Sequence, residues 1–211
     1  MGKVINKRPT FTKLKRVAER KGYAFFTKAW SINIIGIRVN NDVNSFDDVM
    51  CVAYYDDKRK AHVHYFDCTT TPGNHWLLNP LNVNGTAIMV PGQYRGLYKI
   101  GLHNRSRPSR SYEALEQKGI AKYYRDNNKD NKLDFTSKIY EGNNKTNIHR
   151  AASSGWSTFI DKWSAGCQVI TGKYTENTTN WDKFMELCKL SSRRYSNSFT
   201  YTLLTTDDLI N

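Results

Sequence analysis

The hardest constraint on this chain is the run Ser31-Ile32-Asn33-Ile34-Ile35-Gly36-Ile37-Arg38. β-Branched residues follow one another with almost no polar interruption, the composition of a strand in a packed sheet. A second such run spans Asp47 to Tyr55. The charged turn Asp56-Asp57-Lys58-Arg59-Lys60 and a return strand from Ala61 to Asp67 follow, so this part predicts a β-hairpin. Shorter strands are expected at Tyr23–Phe26, Gly85–Val90, Gln93–Leu102, Ile120–Arg125, Thr146–Arg150 and Phe199–Leu204. Phe135–Glu141 reads as a strand or bend, and Tyr112–Lys118 as a short helix or turn. Thirteen tyrosines and nine phenylalanines add to the strand preference. The fold class is therefore mainly β, with a minority of helix (α+β).

Two helices are expected at the periphery. Thr10 is placed to cap one running to about Lys21, with Phe11, Leu14, Val17 and Ala18 on one face and Gly22 as its stop. Thr179 or Asn180 caps another from Trp181 to about Ser191, whose apolar stripe includes Phe184, Met185 and Cys188. The 211 residues divide into a basic N-terminal extension with a helix, 1–22, and a single domain, 23–211. No apolar stretch reaches the roughly 18 residues of a transmembrane helix. The basic N-terminus lacks the apolar core of a signal peptide, so synthesis in a host cytosol is expected, with any wall reached by another route. The formal net charge of +13 favours polyanionic partners. No nucleic-acid module is recognisable, which leaves an anionic cell envelope as the preferred partner over DNA or RNA.

Four cysteines are present in a chain long enough to need no disulfides. Cys51 and Cys188 lie in apolar segments and read as core, and Cys68 as core or cleft. Cys167 is different. It follows Trp163-Ser164-Ala165-Gly166 and precedes an apolar run, the position of a nucleophile at the mouth of a strand. A thiol needs a base to become a competent nucleophile, and His149, in Asn147-Ile148-His149-Arg150, is the candidate.

His149, fourteen intervening residues, then Ser164-x-Gly166-Cys167 resembles the signature of the L,D-transpeptidase catalytic domain. The wider context, Pro91-Gly92-Gln93-Tyr94, Tyr124-Arg125-Asp126 and Gly166-Cys167-Gln168-Val169, is similar to the phage-encoded, cell-wall hydrolase branch of that superfamily. The motif covers about twenty residues, and a looser likeness runs from about Ile34 to Ile170. The resemblance implies a mixed sheet or sandwich with peripheral helices. It implies Cys167 as nucleophile, His149 as general base, and the Arg150 carbonyl as the group that orients the imidazole. Ser164 is the motif serine, and backbone N–H groups at Gly166 and Cys167 would form the oxyanion hole. Tyr94, His103, Trp163 and Gln168 are the expected substrate contacts.

The implied activity is a cysteine-dependent peptidoglycan peptidase of L,D-carboxypeptidase or endopeptidase type, a phage endolysin acting on stem peptides in the periplasm or wall. A transpeptidase that forms cross-links would use the same residues. Ala165 stands where the family usually has histidine, and Gln168-Val169 where arginine or asparagine is usual. A wall- or virion-binding module without catalysis is thus a competing expectation.

Two metal patterns stand beside this. Asp126-Asn127-Asn128-Lys129-Asp130-Asn131-Lys132-Leu133-Asp134 has the ligand spacing that opens an EF-type calcium loop. Its donors would be Asp126, Asn128, Asp130, the Lys132 carbonyl and Asp134, with Asn131 where glycine is usual and Ser137 where a glutamate is usual. A plain polar turn is the alternative. Catalysis itself is expected to need no cofactor. His62 and His64 share one strand face, with His75 and His103 elsewhere, but no HExxH or other tight zinc pattern accompanies them. Arg105, Arg107 and Arg110 form either a solvated loop or a carboxylate-binding edge.

Overall fold

The computed structural model describes residues 8–39, 42–153, 157–172, 174–175 and 178–210. Trp156, the first seven residues and the turn positions 40 and 41 lie outside them. The chain runs α1 (Phe11–Arg20), β1 (Asn33–Arg38), β2 (Asp48–Tyr55), β3 (Ala61–Thr69), α2 (Asn74–Leu78), β4 (Thr86–Met89) and β5 (Gly92–His103). It continues with β6 (Tyr112–Gln117), β7 (Ala121–Asp126), β8 (Tyr140–Gly142), β9 (Ile148–Arg150) and β10 (Gln168–Ile170). The last elements are β11 (Tyr174–Thr175), β12 (Thr178–Thr179), α3 (Asn180–Arg194), β13 (Phe199–Thr205) and α4 (Asp207–Ile210).

Eight strands form one mixed sheet in the order β1-β13-β5-β6-β9-β10-β3-β2, closed because β2 also pairs with β1. Two neighbouring pairs are parallel, β1 with β13 and β9 with β10. The remaining pairs are antiparallel. A second sheet, β4-β7-β8, stands beside it. The molecule is mainly β with peripheral helices, and among the described residues no helix is long and apolar enough to cross a membrane.

The unbroken apolar runs are explained by burial on both strand faces. In β1 and β2, Ile34, Met50 and Val52 face one core with Phe66, Tyr201 and Leu203. Their neighbours Ile35, Cys51 and Ala53 face a second core with Leu204. Helix α1 covers that second core with Phe11, Leu14 and Val17. Helix α1 is thereby seated on the sheet. Thr10 caps the helix, its hydroxyl accepting from the Lys13 N–H. Thr179 and Asp182 form a reciprocal capping box at the start of α3.

Two local expectations are corrected. Tyr112–Gln117 is a strand, held between β5 and β9. Tyr23–Phe26 is irregular, whereas Phe135–Glu141, expected as a strand or bend, bends at 136–137 and enters β8 at Tyr140.

Arg38, at the end of β1, is only 4% exposed. Its Nε donates to Thr70 Oγ1 at 3.0 Å, and its Nη2 donates to the carbonyls of Thr70 and Met89 at 2.9 and 3.1 Å. The buried Asp48 carboxylate accepts from the Thr70 N–H and hydroxyl, both at 2.7 Å. A buried cation requires such a full set of acceptors. This one ties β4 to the closed sheet.

Candidate active site

The parallel pair β9–β10 sets the relative placement of the two candidate side chains, His149 within β9 and Cys167 directly before β10. In register, Gln168 lies opposite Ile148 and Val169 opposite His149. Ile148 is in the core, and Gln168 turns the same way. The next residues along each strand face the opposite side, because direction alternates. His149 therefore shares a face with the position two residues before Val169, which is Cys167. For regular strands, that diagonal placement puts the two Cα atoms about 8 Å apart.

The turn before Cys167 has one workable backbone. Gly166 has φ +119°, and a Cβ there would stand 2.5 Å from the Ala87 carbonyl oxygen. Only glycine fits both conditions. Ser164, fully buried, closes the turn: its hydroxyl donates to the Cys167 carbonyl at 2.8 Å and accepts from the Gly166 N–H at 3.2 Å. The Gly166 N–H is thus already engaged. The Cys167 N–H has no acceptor among the described residues, which leaves it as the donor available to a developing oxyanion.

Cys167 is half-buried, whereas Cys51, Cys68 and Cys188 are buried, and all four are free thiols. The Cys167 sulfur donates to the Lys145 carbonyl at 3.8 Å. Among the described residues no hydrogen bond joins it to His149. The thiol borders a cleft of about 380 Å³ whose walls include Ala87 of β4, Arg125 of β7, Asn144 and Lys145. Arg125 donates to the Gly85 carbonyl at 3.2 Å and to Asn144. A separate cavity of about 730 Å³, which shares Lys145 as a lining residue, is bordered by His103, Arg105, Glu116 and Asn147. Arg105 pairs with Glu116 there at 3.2 Å.

His149 is 3% exposed. Its Nδ1 donates to the Arg150 carbonyl at 2.7 Å, an arrangement that leaves Nε2 as the basic nitrogen. The Tyr112 hydroxyl donates to the same carbonyl at 3.1 Å and lies 3.3 Å from Nδ1. The Arg150 guanidinium covers the Tyr112 ring at 4.4 Å. His103 stacks on His149 with centroids 4.0 Å apart, and Asn147 donates to His103 Nδ1 at 3.2 Å.

Burial, followed by the charge on His103, lowers the His149 pKa to about 3, while the Arg150 and Trp163 carbonyls pull the other way. Burial lifts the Cys167 thiol to about 11. Both groups are neutral in the resting state. Both shifts oppose a standing thiolate–imidazolium pair.

The other expected site residues divide. His103 is with His149, and Trp163 is 42% exposed directly before the motif turn. Gln168 does not face the cleft: it is fully buried, and its Oε1 accepts from Tyr201 at 2.9 Å. Tyr94 also lies apart, packed on the core with its hydroxyl donating to the Val90 carbonyl at 2.6 Å. His62 bonds Asp56 at 2.8 Å and His64 bonds the Tyr54 hydroxyl at 3.2 Å, both rings stacking on Tyr54. Tyr112, Asn147, Lys145 and Arg125 complete the site and were not anticipated. Asn147 and Lys145 flank His149 closely enough in the chain to have drawn notice, but Tyr112 carried no such signal.

No family model, curated protein or solved structure matches the chain.

Proposed function

We propose that the chain is a cysteine-dependent peptidoglycan peptidase, of L,D-carboxypeptidase or endopeptidase type, that serves as a phage endolysin. The observation that carries this reading is the placement of Cys167 in an open cleft, diagonal across two parallel strands from an imidazole fixed by the Arg150 carbonyl. Arg125, Lys145 and Arg105 along the two cavities suit the carboxylates of stem peptides. The net charge of +13 suits an anionic envelope. The protein would be made in the host cytoplasm and act at the wall.

In this mechanism His149 Nε2 accepts the Cys167 proton as sulfur attacks the substrate carbonyl carbon. The oxyanion takes the Cys167 N–H. The C–N bond then breaks, and the leaving amine receives the proton from His149. Water, deprotonated by the same imidazole, hydrolyses the thioester and returns the thiol. An amine in place of water would give transpeptidation instead.

The test is digestion of purified muropeptides, read by mass spectrometry, with Cys167→Ala in parallel. Loss of a terminal residue or cleavage of cross-links, absent in the variant, is the expected result. New cross-links would assign a transferase. Unchanged muropeptides would favour a second reading, a wall-binding module without catalysis. That reading draws on the lack of a hydrogen bond between sulfur and imidazole and on the raised thiol pKa.

A further inference from the structure

Asp126 ends β7, and its side chain is completely buried. One carboxylate oxygen, Oδ2, accepts from the Asp134 N–H at 2.9 Å, so the group points into its own loop. The other, Oδ1, is buried without a hydrogen-bond partner among the described residues. Burying an unpaired carboxylate oxygen is costly unless a proton or a cation meets it.

The loop already has the right form. Asn131, sixth in the loop, has φ +59°, the left-handed conformation that a tight calcium loop needs there. Asn128 accepts from the Asp130 N–H at 3.2 Å, and Asp130 from the Lys132 N–H at 2.9 Å, which winds the loop around the Asp126 carboxylate. Among the described residues no three acidic, histidine or cysteine side chains form a ready-made cage. Convergence on Asp126 requires the side chains to turn: Asp130 Oδ1 accepts from the Lys132 N–H at 2.9 Å, and Asp134 Oδ1 accepts from the Thr136 N–H and hydroxyl, both at 2.7 Å.

We propose that the loop from Asp126 to Asp134 binds one calcium ion through Asp126, Asn128, Asp130, the Lys132 carbonyl and Asp134. The twelfth position is spent elsewhere: Ser137 Oγ accepts from the Arg125 N–H at 2.9 Å. Lacking the bidentate carboxylate usual there, the site falls in the weak class, with a Kd on the order of 10⁻⁴–10⁻³ M. It is selective against magnesium, whose small octahedral shell this long loop does not match.

The test uses the full chain, stripped with chelator, in calorimetric titration and thermal unfolding, neither of which depends on catalysis. Calcium should bind one to one and raise the Tm by several degrees at about 10 mM, with magnesium at equal ionic strength far less effective. Asp130→Asn, at an exposed position, should fold normally and weaken binding about tenfold or more. Asp126→Asn should abolish binding if it folds. Absence of binding heat and of any Tm shift in the wild type would overturn the proposal. So would an Asp130→Asn protein that binds calcium as the wild type does.

Discussion

The imidazoles of His103 and His149 stack face to face, with centroids 4.0 Å apart and planes 18° from parallel. Two rings so close, both with pKa values lowered by burial, cannot readily carry charge together.

Stability should consequently depend on pH with a defined sign. The folded pKa of His149, about 3, lies below its ordinary value of 6.5. Between these values the unfolded chain binds a proton that the folded chain refuses. Stability therefore falls as pH drops through this window, by up to about 1.4 kcal/mol per pH unit for one such group, and levels off above it. His103 adds in the same direction. Denaturant titrations at pH 7 and pH 4.5 should show a smaller difference for His149→Gln than for the wild type. A His149 signal titrating near 6.5 by NMR in the wild type would contradict the neutral resting ring.

Thiol reactivity follows from the Cys167 pKa of about 11. Alkylation by iodoacetamide should be slow at pH 7 and rise about tenfold per pH unit below that pKa, because the thiolate is the reacting form. Mass mapping should place the label on Cys167, since the other three thiols are buried. Fast labelling that is flat from pH 5 to 8 would reveal a preformed ion pair instead.

Tyr112→Phe removes a hydroxyl that serves both the Arg150 carbonyl and His149 Nδ1. One such bond is worth about 1 kcal/mol, so muropeptide turnover should fall about five- to tenfold, with a nearly unchanged Tm. A large loss of Tm with intact turnover would make the tyrosine a folding residue.

Gly166→Ala meets both a left-handed backbone and the Ala87 carbonyl. Strain of this kind costs about 1–3 kcal/mol, or roughly 2–12 °C in Tm for a domain of this size. Thermal unfolding that matches the wild type would show that the turn relaxes freely.

Periodic and local features were legible in the residues. The β2–β3 hairpin, both long helices with their caps and the strand nature of β1 depend on contacts with near neighbours or on burial of a whole run. Tyr112-Glu113-Ala114-Leu115-Glu116-Gln117 misled because its composition favours helix, whereas pairing with β5 and β9 overrides propensity. The site divides in the same way. The positions of His149 and Cys167 could be found by spacing, but the direction of Gln168 toward Tyr201 depends on which strands neighbour β10. Tyr112 joins His149 from 37 residues away, through a hydroxyl that nothing local distinguishes.

The Arg38 knot has a mechanical consequence for the cleft. Peeling β4 outward would strip the guanidinium of its Met89 acceptor in a place that water does not reach. The Ala87 side of the cleft is accordingly its fixed jaw, and the cross-linked peptide proposed as substrate would have to gain its room elsewhere, at the wall formed by Asn144 and Lys145.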